Sequence, residues 1–294
     1  MVLEKKTDYI DHDRLFKELI QTFFQNFIEG FFPKESCFIN FSSVKFLEQD
    51  VFTDILRGDK RRIDILAEVK IKGQDQLILI HIEPQSSYQK EFHERMFIYC
   101  SRLYEKYRKP ILPIAVFSYN DKRDVPEQFT IEVPTLQVVN FQYFQLHLIK
   151  KNWRTFIGNE NPVAAALLSK MGYTKKERVQ VKLEFLRMLS CMELNPAKMA
   201  LLYGFFETYL KLNEKEEKQM RDEITKLPEE EVKSVLRLPN SYFERGIQKG
   251  KTEGKEEEKR KIAEKLLAKG MLIDDIMEVT GLSRSEIGEL AGSE

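Results

Sequence analysis

The stretch that most restricts the fold is RRIDILAEVKIKGQDQLILIHIEPQ, Arg61 to Gln85. Two aliphatic runs flank Lys72-Gly73-Gln74, the pattern of two strands joined in an antiparallel hairpin. Each run also carries a carboxylate, Asp64 in the first and Glu83 in the second. A carboxylate costs free energy to bury unless it is paired, hydrogen-bonded or bound to a metal, so both need a partner. In the second run Ile78, Ile80 and Ile82 alternate with Leu79, His81, Glu83 and Gln85, which sends Glu83 and Gln85 out from one face together. The sequence midpoint of Asp64 and Glu83 falls at the Gly73–Gln74 turn. Antiparallel pairing about that turn sets both carboxylates at the open end of the hairpin.

Around this hairpin the pattern is mixed α/β. From Leu15 to Ile28 the apolar residues follow the stripe of an amphipathic helix, with Asp13 able to cap it and Gly30 able to end it. Phe38 to Leu47, Arg62 to Lys70 and Gln76 to Glu83 read as strands. Tyr88 to Lys109 repeats Phe92, Met96, Tyr99, Leu103 and Tyr107 at helical spacing and stops at Pro110. A buried strand from Ile111 follows, then a strand-rich segment from Thr135 to Ile149 whose internal break the pattern does not place.

After Asn161 the periodicity is helical only. The expected organisation is an α/β core over 8–160, a helical extension over 161–243, a glycine- and charge-rich tether over 244–261 carrying Gly246, Gly250 and Gly254, and a small helical module over 262–294. In that module the segment IDDIMEVTGLSRSEI has the helix, glycine turn and helix of a helix-turn-helix, and Ser283 and Glu286 have capping-box spacing. Only Arg284 and the serines are placed to read DNA in the last helix, which favours packing or homo-oligomerisation through these helices.

Charge and cysteine usage narrow the function classes. With 47 basic and 47 acidic residues there is no global attraction for nucleic acid, so any DNA contact must come from a local patch. No apolar run approaches the roughly 18 to 20 residues that span a bilayer, and a cytoplasmic protein without membrane contact is expected. Cys37, Cys100 and Cys191 lack metal or disulfide spacing and read as buried or semi-buried thiols.

Clustered like charges raise each other's pKa unless a cation sits between them, and carboxylate, carbonyl and water oxygens are the donors that Mg²⁺ prefers. The open end of the hairpin therefore suits a divalent ion. The competing reading is structural: Asp64 bonded to backbone amides at a strand end, and Glu83 paired with Arg61, Arg62 or Arg95. His81 and His93 read as neighbours of the site or satisfied core groups, and Tyr88, Tyr99, Tyr104 and Tyr107 as helix packing.

The spacing of Asp64 and Glu83-Pro84-Gln85 on a sheet flanked by helices resembles the PD-(D/E)xK nuclease superfamily, with its restriction-endonuclease-like fold. More closely, DHDRLFKELI, RRIDILAEVK, LILIHIEPQS, FHERMFIYCSRLYEKY and the glycine-punctuated tail are similar to the Rpn family of recombination-promoting nucleases, or transposase-like proteins, over residues 8 to about 290. The resemblance implies a Mg²⁺-dependent DNA endonuclease, with Mn²⁺ as a substitute, acting on double-stranded DNA in recombination. It makes Asp64 and Glu83 metal ligands, puts Gln85 where the superfamily has lysine, and brings Asp13 from the first helix, with Glu18 in reserve. An amide cannot act as acid or base, so Gln85 only orients water, and Lys70, Lys72 or Arg95 would supply positive charge. A catalytically inactive DNA-binding or regulatory protein on the same fold is the alternative.

Overall fold

A computed structural model describes residues 12–47, 51–53, 60–62, 64–238 and 258–291, with backbone alone for 51–53, 60–62 and 289–291. Gly246, Gly250 and Gly254 of the expected tether lie outside the described residues, as do the side chains of Arg61 and Arg62. The chain forms two compact units, one ending at Leu238 and one beginning at Pro239.

The first unit is built on a five-stranded sheet in the order β1-β4-β5-β6-β9. These strands are β1 (Ile39–Phe46), β4 (Ile65–Ile71), β5 (Leu77–Gln85), β6 (Ile111–Phe117) and β9 (Phe144–His147). The β1, β4 and β5 strands pair antiparallel, whereas β5, β6 and β9 run parallel. The hairpin register runs from Ile65 opposite Ile82 to Lys70 opposite Leu77, and Gly73 takes the left-handed φ of +72° that lets the turn close. A short pair, β2 (Val51–Thr53) with β3 (Lys60–Arg62), stands apart from the sheet.

Helix α4 (Phe92–Tyr107) packs over β5 and β6, and its side chains meet those of β5 residue step to residue step. Four helical residues rise about 6 Å and two strand residues about 6.6 Å, so Arg95, Tyr99 and Leu103 meet Glu83, His81 and Leu79 in turn. Leu103 packs on Leu79 and Leu66, the Tyr99 ring stands 5.8 Å from the His81 ring, and Arg95 pairs with Glu83. Phe92 and Met96 reach on to Ala115 and Phe117 of β6. Ile78, Ile80 and Ile82 point to the opposite face and are also buried, as a central strand covered on both faces requires.

The N-terminal stripe is two helices, α1 (His12–Thr22) and α2 (Phe24–Phe31), broken at Phe23 and followed by the single turn α3 (Pro33–Ser36). Asp13 lies in the first turn of α1 and is not its cap. Gly30 sits within the last turn of α2, where an added Cβ would stand 2.6 Å from Asn161 Nδ2. Asn161 donates to the Asn26 carbonyl at 2.7 Å and accepts from Val163 and Ala164 amides at 3.0 Å. One asparagine thus joins α2 to the start of α5 (Pro162–Leu167), with Pro at the first helical position.

Helices α6 (Arg178–Ser190), α7 (Pro196–Tyr209), α8 (Glu214–Thr225) and α9 (Glu229–Leu236) complete the unit, with Asn195 and Asn213 capping α7 and α8. They pack back onto the N-terminal helices: Phe16 of α1 meets Phe205 edge-on at 5.0 Å, and His12 bonds the Tyr209 hydroxyl at 2.9 Å.

One boundary that the pattern left open is now placed, and one expectation needs correction. The 135–149 segment breaks at Tyr143: β8 (Leu136–Gln142) pairs outside the main sheet with β7 (Gln128–Val133), a strand that was not anticipated. Cys37 and Cys191 are exposed, each as the residue that caps the C-terminal end of a helix; of the three, Cys100 alone is buried. Among the described residues no helix is long and apolar enough to cross a membrane.

The second unit holds α10 (258–268), α11 (Ile273–Thr280) and α12 (Arg284–Ala291) around Ala263, Ile276, Leu282 and Ile287. Gly270 and Gly281 take positive φ at the two turns. Ser283 bonds Glu286 through both its amide and hydroxyl, at 2.8 and 2.6 Å, as the capping spacing predicts.

Candidate active site

The hairpin register, carried one residue beyond Ile65–Ile82, sets Asp64 across from Glu83. Directly opposed residues of an antiparallel pair share a face, so both carboxylates belong to the face that α4 covers. Helix α1 packs against β5 and brings Asp13 and Lys17 to Asp64. Four of the expected site residues are therefore gathered at one end of the sheet: Asp13, Asp64, Glu83 and Gln85.

Glu83 is 1% exposed and both of its oxygens are engaged. Oε1 accepts from Arg95 Nη2, and Oε2 stands 3.3 Å from His81 Nε2. Arg95 fans out further, with Nη1 donating to Gln89 Oε1 at 2.6 Å and reaching Gln85 Oε1 at 3.4 Å. The Gln85 amide nitrogen donates to the Pro84 carbonyl at 2.8 Å, which turns its oxygen toward Arg95. Burial works against the guanidinium charge, but Glu83, Tyr99 and Asp64 outweigh it and raise the Arg95 pKa. His81 Nδ1 and Arg95 Nε are buried with no hydrogen-bond partner among the described residues.

Asp64 carries the largest perturbation of the cluster. Burial first, then the charges of Glu83 and Asp13, push its carboxyl up to about 8 against the lowering effect of Arg95 and Lys17. Among the described residues the negative charges of Glu83 and Asp13 outweigh the positive charges of Arg95 and Lys17 at Asp64, the condition that a cation relieves. Among the described residues no three His, Cys, Asp or Glu side chains form a ready-made metal cage. Mg²⁺ is commonly held by one or two carboxylates with water completing its shell, so the donor chemistry of Asp64 and Glu83 fits that ion. Arg95 holds one oxygen of Glu83, so among the described residues the ion pair considered for Glu83 is made with Arg95.

Among the described residues, Arg95 is the one of the cations considered that lies at the site. Lys70 pairs with Asp75 at 2.9 Å near the turn, the far end of the hairpin, where Lys72 also lies. Glu18 is exposed and lies outside the charges that act on Asp64. It follows Asp13 by five residues and points roughly 140° away around the helix. Lys17 and Gln89 were not anticipated. Lys17 follows Asp13 by four residues, hence on the same helix face, and that spacing was its available signal.

Residues 256–292 match the Rpn/YhgA-like nuclease family, C-terminal HTH domain. This supports assignment of the chain to the Rpn family and suggests a nuclease-like or DNA-binding role. No curated protein and no solved structure matches the chain.

Proposed function

We propose that the chain is a Mg²⁺-dependent DNA endonuclease of the PD-(D/E)xK type that hydrolyses phosphodiester bonds in double-stranded DNA during recombination. The observation that carries the reading is the gathering of Asp64, Glu83 and Asp13, from three separate elements, around one sheet end. Asp64 and Glu83 would hold the ion, with Asp13 adding charge from α1. A bound Mg²⁺ supplies Lewis acidity, a more acidic water and charge for the leaving oxygen. Gln85 has its amide nitrogen committed to Pro84 and its oxygen within reach of Arg95, and the second lone pair of that oxygen would accept from and orient a water. Arg95 supplies positive charge within reach of Glu83 and Gln85, in the neighbourhood where the superfamily motif has lysine. The C-terminal helices are assigned contact with duplex DNA and pairing of two copies.

A second reading keeps the fold and the DNA contact without the chemistry. It is favoured by the engagement of both Glu83 oxygens and by an amide at position 85. Incubation of supercoiled plasmid with purified protein and Mg²⁺ or Mn²⁺ decides between them. The nuclease reading expects nicking that Asp64→Ala abolishes; equal nicking by both proteins, or none by either, removes it.

A further inference from the structure

The parallel half of the sheet ends beside a basic pocket. Gln85, Phe117 and His147 stand in register across β5, β6 and β9, so the loops after β6 and β9 leave from the same sheet end as the carboxylates. Crevices at the carboxyl ends of parallel strands are where open α/β sheets bind ligands. The loop after β6 is tied to the site, since Ser118 donates to the Gln85 carbonyl through its amide at 2.9 Å and its hydroxyl at 3.1 Å. Farther along that loop Arg123 stacks on the Tyr88 ring at 3.9 Å. Between these anchors lies Lys122, which joins Lys150, Lys151, Asn152, Tyr173 and Thr174 around a cavity of about 530 Å³.

The charge balance of this cavity is positive. Glu177 also lines it, but Arg154 at 2.5 Å and the Thr174 amide at 2.6 Å already take its carboxylate. Lys150 is paired with Asp124. Lys122 and Lys151 are exposed and have no ion-pair partner among the described residues. The wall is fixed in place: Gly172 donates to the Lys151 carbonyl at 3.0 Å, and a Cβ there would stand 2.5 Å from the Ile149 carbonyl oxygen. In a chain of zero formal charge, this is a local patch of the sort that nucleic-acid contact requires. From β5 to β9 is two strand spacings, about 10 Å, the axial length of about three nucleotides in one strand of a duplex.

We propose that Lys122 and Lys151, in this pocket, grip the phosphate backbone of the DNA strand that enters the carboxylate site. The proposal rests on the nuclease reading for what happens to that strand, and on the pocket alone for where it is held. The test is the salt dependence of full-length protein binding to a labelled linear duplex without divalent metal. It compares the natural chain with a Lys122→Ala/Lys151→Ala double variant and with a Lys215→Ala/Lys218→Ala control on α8. Each phosphate contact contributes about 0.9 to the slope of log affinity against log salt, so the pocket variant loses about two from the slope. Its affinity deficit then shrinks about 12-fold between about 50 and about 200 mM salt. The control variant keeps the natural slope.

Equal slopes for the natural chain and the pocket variant, or no binding by the natural chain, overturn the pocket. Plasmid nicking recorded in parallel separates the two claims. Nicking with unchanged slopes leaves the nuclease and removes the pocket; a reduced slope without nicking keeps the pocket and removes the nuclease.

Discussion

Replacing Arg95 by Met removes the cation that faces Glu83 while retaining much of the apolar stem. Glu83 is 1% exposed and the Arg95 side chain 19%, so the substitution leaves a carboxylate without its buried partner. Breaking a buried pair in this way costs about 3 to 5 kcal/mol. The partial exposure of Arg95 places the expected loss near the lower end, at about 3 kcal/mol. The bond to Gln89 and the stacking near Phe92 and Tyr99 go with it. For a unit of this size that loss lowers Tm by about 6 to 12 °C. Urea and thermal unfolding of the metal-free protein, followed by circular dichroism, measure it. Glu83→Gln in the Arg95→Met background should recover most of the loss, since a neutral amide no longer needs the cation. If Glu83 is a metal ligand, added Mg²⁺ should raise the Tm of Arg95→Met more than that of the natural chain. A loss under about 1 kcal/mol, or no coupling between the two positions, would refute the argument that Arg95 holds the Glu83 charge.

Asn161→Ala removes the cap of α5 and its bond to Asn26 together, and should cost about 2 kcal/mol in urea unfolding. Gly172→Ala forces a Cβ onto the Ile149 carbonyl; a destabilisation of about 1 to 3 kcal/mol is expected, visible as an earlier thermal midpoint. Under native conditions at mild alkaline pH, a maleimide should label Cys37 and Cys191 and spare Cys100. Burial pushes the Cys100 thiol up to about 12, so it carries almost no thiolate there. Mass spectrometry reads two labels on the folded chain and three after denaturation.

The sequence carried most of what positions the site. Alternation through Ile78, Ile80 and Ile82 and the glycine at the turn fix the register of β4 against β5, and the register fixes Asp64 across from Glu83. Helical spacing in α4 likewise names Tyr99 and Leu103 as the residues under which β5 lies. What escaped is set by tertiary contacts. The break at Phe23 has no Gly or Pro to announce it, and β7 and β8 pair outside the main sheet although their alternation resembles that of sheet strands. Cys37 and Cys191 are exposed at the C-terminal caps of helices, positions that composition does not reveal. The choice of Arg95 over Lys70 and Lys72 depends on α4 packing over β5, a tertiary fact that a linear pattern leaves open.

The central claim is that Asp64 and Glu83 hold one divalent ion. Crystals soaked in Mn²⁺ and measured at an anomalous wavelength test it directly. The account predicts a peak within about 2.5 Å of a carboxylate oxygen of each residue, absent from Asp64→Asn crystals. Glu83 still locked to Arg95 with no density between the two carboxylates, or a peak bound elsewhere, would contradict it.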